Sequence, residues 1–179
     1  GLQGINAIQH QYGAGVIPSE NCLKAELLYN KSHIFSYMMI PLLGAFVILM
    51  GVFLWNLFNR KMEKVSFRNP FYSFGMFLYT IGAIGMLVGY VLRWVASGRA
   101  PLSNGHESLL FISLAAVMAG LVAELVFRIS LPASLSSLLT VIIVGVSMLS
   151  MFDPAIGPLV PVLVSYWLNI HVTIITGSY

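Results

Sequence analysis

The sequence predicts an all-α fold, a polytopic bundle of transmembrane helices, on three observations. Of the 179 residues, 58% are hydrophobic and only 8% charged, whereas roughly a quarter of a soluble domain is charged. The mean hydropathy is +0.88. The apolar residues are gathered into runs of about 20, the length that crosses a bilayer as a helix, and the segments between them hold prolines, glycines and charges.

Residues 1–34 read as an extracytoplasmic N-terminal segment, and 35–179 as a transmembrane domain. Within the latter, helix 1 is expected over Phe35 to Phe58, helix 2 over Phe71 to Ala96, helix 3 over Glu107 to Phe127 and helix 4 over Ala133 to Met151. A fifth begins near Ser165 and is still apolar at Tyr179, with only about 14 of the roughly 20 residues a span requires. The last helix therefore reads as cut. The start reads as cut too, since Gly1 stands where an initiator Met would and no signal-peptide pattern follows.

The net charge is only +3 and the cations sit at the ends of apolar runs. With no basic stripe, nucleic acid is excluded as a partner. The lipid bilayer is the partner that composition implies. Between helices 1 and 2, Arg60, Lys61, Lys64 and Arg68 face the single acid Glu63, and Arg128 ends helix 3 on the same side. Short-loop cations mark the cytoplasmic side. The N-terminal segment, the loop GRAPLSNGHES (98–108) and the loop DPAIGPLVPVLVSYW (153–167) then face outward, although Lys24, Lys31, Arg93 and Arg99 run against this count.

Several residues within the spans have structural readings. Gly82, Gly85 and Gly89 share a helix face and are expected to let a neighbour approach closely. Met38, Met39, Met50, Met76, Met86 and Met118 read as core filler rather than soft metal ligands. Glu124 is costly in a membrane unless paired, and Arg128, one turn on, is the expected partner. Arg93 and Trp94 read as a snorkelling cation and a belt aromatic. The single Cys22 forms no internal disulfide and belongs to no zinc motif.

The outward loops hold the candidate chemistry. In 98–108, Pro101 stiffens the chain, Ser103 or Asn104 is placed to cap helix 3, and Glu107 suits the positive first turn. Arg99 is available to a carboxylate of a cofactor held there. His106 reads as a solvated loop histidine, and His10 and His33 as incidental. His171 lies about one and a half turns into helix 5, after Tyr166, Trp167 and Asn169 and before Thr173, Thr176 and Ser178. An imidazole there is either a ligand or proton-transfer group, or a packing residue with its hydrogen bonds met.

At these residues the sequence resembles a known family. GRAPLSNGHESLLFIS, followed two helices later by PLVPVLVSYWLNIHVTIITGSY, is similar to the paired segments of CcsA/ResC cytochrome c assembly proteins of system II. In that family a G-x-x-P-L-S-N-x-x-E-S-L-L-F segment precedes P-L-V-P-x-L-x-S-x-W-L-x-x-H-V, which leads to a tryptophan-rich WWD motif. The resemblance covers Trp94 to Tyr179 well. KAELLYNKSHIF, Lys24 to Phe35, resembles the junction of fused forms in which a ResB-like half precedes the CcsA-like half.

The resemblance implies a bacterial inner-membrane protein with its functional loops on the periplasmic side. Its part would be to export or hold haem b for covalent attachment to the CxxCH motif of apocytochrome c, as in a cytochrome c haem lyase. It implies that His171 is an axial ligand of the haem iron, with Trp167 as a pocket residue and Arg99 as a weaker candidate. His106 stands where relatives often carry an aromatic residue and is given no ligand role. The WWD segment and the second outer histidine lie outside these residues, so the 179 residues alone are expected to be inactive. The alternative is a non-catalytic membrane subunit or transporter segment with structural loops. A quinone-linked dihaem cytochrome b is disfavoured, since no intramembrane histidine pair is present.

Overall fold

The structure is a computed structural model that describes residues 27–28, 31, 33–59, 64–97, 101, 104–149, 171 and 174–175. Four helices follow in order: α1 (Ile34–Phe58), α2 (Pro70–Ser97), α3 (Gly105–Phe127) and α4 (Leu131–Ser147), with no strand among the described residues. Helices α1, α2 and α3 have 25, 28 and 23 residues and are apolar enough to span. At about 1.5 Å per residue each exceeds a hydrocarbon core of about 30 Å.

Helix α4 differs from the expectation at both ends. It has 17 residues, at the lower limit of about 17 for a span. It begins ahead of Ala133 because Pro132 occupies its first turn, where a missing N–H leaves no bond unmade. It closes at Ser147, and Met148 and Leu149 turn away from the helix through amides bonded to Val144, Gly145 and Val146.

The helices close into a four-sided bundle: α1 packs on α2 and α4, α3 packs on α4, and α2 meets α3 along a looser side. One end gathers the start of α2, the end of α3 and the start of α4 around Glu124. The other gathers the end of α2, the start of α3 and the end of α4 around Arg93.

The distribution of side chains is inverted relative to a water-soluble bundle. Ile40, Val47, Phe74, Phe77, Ile84, Val122 and Val126 face outward, while Glu107, Ser113, Glu124, Ser134, Ser137 and Thr140 are buried. Such contiguous apolar exposure suits lipid rather than water. Trp55 and Trp94 are exposed near opposite ends, as belt aromatics are.

The glycine face of α2 does what its spacing predicts. A Cβ at Gly82 would stand 2.5 Å from Leu42, at Gly89 2.7 Å from Ile34, and at Gly85 it would run into Met38. These glycines allow α1 to lie against α2. A similar close approach occurs at Gly120, where a Cβ would collide with Ser136 of α4. Beside it, Tyr79 Oη donates to the Val117 carbonyl at 2.6 Å and shares a 2.7 Å hydrogen bond with Ser136 Oγ. One phenol thus ties α2 to both α3 and α4.

Candidate functional site: the Arg93 end of the bundle

The outward loop read from the sequence is anchored from both sides. Asn104 is extended ahead of α3, and its Oδ1 accepts from the Glu107 amide at 2.8 Å. That satisfies one of the orphan N–H groups of the first turn and starts α3 at Gly105 rather than at Glu107. Pro101, in the same connection, is buried.

The cap turns Glu107 inward. Its Oε1 accepts from Arg93 Nε at 3.3 Å and Nη2 at 3.1 Å, and both side chains are fully buried. This corrects the reading of Arg93 as a snorkelling cation. A cation near the end of a long helix reaches water only if no acid lies nearer, and the short 98–104 connection brings Glu107 back beside it. Trp94, by contrast, is exposed as expected.

His106 is corrected as well. It lies in the first turn of α3, is buried, and has Nδ1 2.8 Å from the Ser147 carbonyl. A carbonyl only accepts, so Nδ1 carries the proton. The imidazole therefore fixes the end of α4 to the start of α3. Tyr90, one turn before Arg93, packs on Phe111 with ring centroids 6.0 Å apart. Three helix ends, those of α2, α3 and α4, are thus held together.

The Glu124 end has a matching carboxylate. Glu124 is buried, and its Oε1 accepts from Tyr72 Oη at 2.8 Å and from the Ser130 amide at 2.8 Å, while Oε2 faces the Ala133 amide at 3.4 Å. The partner is therefore Tyr72 and the start of α4, not Arg128. Arg128 is held away by its left-handed backbone (φ 54°) and stacks 5.3 Å from the centroid of Phe67.

Of the residues chosen from the sequence as haem contacts, His171 is described, with helical backbone and an exposed side chain. Trp167 and Arg99 lie outside the described residues, as do His10 and Cys22. An exposed imidazole fits an iron ligand chemically. Among the described residues no three histidine, cysteine or carboxylate side chains cluster as a metal site would require.

The sequence reading missed Arg93 and Tyr72 as partners of the two buried acids. The signal for the first was present: an Arg and a Glu flanking one short Pro- and Gly-containing connection are brought to the same bundle end by the chain reversal. Tyr72, 52 residues from Glu124, offers no such local signal.

No protein-family model matches the chain. Relatives do. Protein NrfI of Wolinella succinogenes is 41% identical over 180 residues, which is 99% of this chain and 19% of that protein. The cytochrome c biogenesis protein CcsA of Guillardia theta is 33% identical over 115 residues, 63% of this chain and 38% of that protein. CcsA of Prochlorococcus marinus strain MIT 9303 is 39% identical over 92 residues, half of this chain and 29% of that protein. By sequence the chain is a relative of the CcsA-type cytochrome c biogenesis proteins, and it spans 19% to 38% of the length of NrfI and the Guillardia protein.

Proposed function

We propose that this chain is part of a membrane haem-handling cytochrome c synthase, which exports haem or holds it at the outer, periplasmic face of the inner membrane for covalent attachment to apocytochrome c. The observation that carries the reading is the similarity to CcsA proteins, named for cytochrome c biogenesis. The residues of the bundle support it. From Asn104 to Glu107 the chain ties the bundle end together, with Asn104 capping α3, Glu107 pairing with Arg93 and His106 gripping α4. Such an end suits a platform on which a flat, apolar substrate is presented.

In this reading haem is the substrate. His171 supplies one axial ligand, Trp167 an apolar wall, and Arg99 a charge for a propionate. A second ligand and the tryptophan-rich segment belong to the rest of the protein, as does a ResB-like half or subunit. Axial ligation holds the iron and shifts its potential, while the vinyl groups face the two thiols of the CxxCH motif. Thioether formation adds each S–H across a vinyl C=C, so no atom is lost and the macrocycle stays intact.

The test is the haem content and reduced absorption spectrum of the full-length protein, native against His171→Ala. We expect the variant to lose or shift the reduced bands, and added imidazole to restore them. Unchanged bands with undiminished cytochrome c maturation would return His171 to a packing role.

A further inference from the structure

Between α1 and α2, at the Glu124 end, lies a cavity of about 540 Å³. Val47, Gly51, Val52 and Phe71 give it apolar walls, and Asn56 and Asn69 line it too. The volume suits a single acyl chain rather than a whole phospholipid and lies within the range of about 300–1,000 Å³ usual for small-molecule sites. Phe71 and Val47 also face the exterior of the bundle, so the cavity opens where acyl chains lie in a membrane-spanning protein.

The polar lining lies beside a basic connection. Asn69 follows Arg68 directly, and Lys64 and Arg68 are both exposed. Across 60–68 the sequence carries Arg60, Lys61, Lys64 and Arg68 against Glu63 alone. Trp55, exposed nearby on α1, also lines the cavity, a residue type that settles at headgroup depth. An apolar slot within the span, carboxamides in its lining and cations beside it are complementary to one kind of molecule, an anionic amphiphile.

Gly51 is what leaves the slot open. A Cβ built there meets nothing within 4 Å, unlike those at the glycines of α2, Gly75, Gly82, Gly85 and Gly89, which would all press on α1 side chains. Helix packing therefore gives no reason for glycine at 51, and a Leu or Phe there would extend into the cavity.

We propose that this groove is a binding site for an anionic phospholipid, with an acyl chain against Gly51 and Val52 and the headgroup among Asn56, Asn69, Lys64 and Arg68. The inference rests on the membrane-spanning architecture and not on the haem reading.

The test uses the full-length protein, delipidated in mild detergent and titrated with phosphatidylglycerol or phosphatidylcholine, with retained lipid counted by native mass spectrometry. We expect phosphatidylglycerol to be retained over phosphatidylcholine. Lys64→Gln and Arg68→Gln should each weaken retention roughly fivefold, as expected for one lost cation near a headgroup. Gly51→Leu should abolish it with the melting temperature kept or raised. Equal retention of the two lipids would overturn the proposal. So would retention insensitive to Gly51→Leu, which would put the lipid elsewhere, or no retained lipid in the native protein, which would mean that another segment of the longer protein fills the groove. Should Gly51→Leu fail to fold, the two charge variants at exposed positions still decide: no loss in either overturns the site.

Discussion

At the scale of single residues, two buried carboxylates organise the bundle, and they are held in different ways. Glu107 faces a full opposite charge, so removing either member leaves the other buried without its counter-charge, at a cost of about 3–5 kcal/mol. Glu107→Gln should therefore lower the thermal stability of the detergent-solubilised protein strongly. Arg93→Met combined with Glu107→Leu should recover much of the loss, because apolar replacement of a whole buried pair is often close to neutral. A double variant as unstable as the sum of the singles would show that the pair does not act as a unit. Glu124 instead takes a phenol and two backbone amides, so its partners are mostly fixed by the chain path. The buried Ser134 hydroxyl has no hydrogen-bond partner among the described residues, whereas Ser113, Ser137 and Ser147 return theirs to carbonyls three residues back, as hydroxyls inside apolar helices usually do.

At the scale of elements, contact between α1 and α2 depends on missing side chains. Gly82→Leu should push the two helices apart and cost about 1–3 kcal/mol, read as a drop in melting temperature. Gly51→Ala, with open space around its Cβ, should instead raise it, since alanine is favoured over glycine in a helix by roughly 0.5–1 kcal/mol. Opposite signs for two glycine replacements would confirm that one set of glycines serves packing and the other does not. The α2 set was legible in the sequence because a spacing of three and four residues defines a face. So were the three long spans and a cap at Ser103 or Asn104, which falls at Asn104. The exact end of α4 was not, because Met148, Leu149 and Met151 are as apolar as the helix before them and composition carries no stop signal there. The burial of His106 was also invisible: its partner is a backbone carbonyl 41 residues away, and carbonyls leave no mark in a sequence.

At the scale of the whole molecule, orientation is the property most open to test. Lys64, Arg68 and Arg128 are exposed at the Glu124 end, while Arg93 at the other end is buried against Glu107. With the basic end in the cytoplasm, Cys22 should react with a membrane-impermeant maleimide added outside spheroplasts. In a Cys22→Ser background, Ser66→Cys should react only in inverted vesicles. Ser66 is exposed beside Arg68, and the reverse labelling pattern would invert the topology and move His171 to the cytoplasmic side. Residue chemistry alone left His171 between ligand and packing residue and Arg99 as a partner for a carboxylate; the axial role and the choice of Trp167 came from the motif match, and Trp167 and Arg99 lie outside the described residues while His171 is one exposed imidazole.

The short connection from α3 to α4 also bears on how the protein is made. Arg128 and Ser130 both adopt left-handed backbone (φ 54° and 63°), which reverses the chain at once. The same reversal brings the Ser130 and Ala133 amides, six and nine residues along, onto Glu124. A marginal 17-residue helix with buried hydroxyls and a helix ending in a carboxylate are each poor candidates to leave the translocon alone. Emerging as one hairpin, they carry two backbone amides for Glu124 with them, but Tyr72 for that acid and Arg93 for Glu107 both come from α2, so the natural unit of membrane insertion is α2 together with the hairpin.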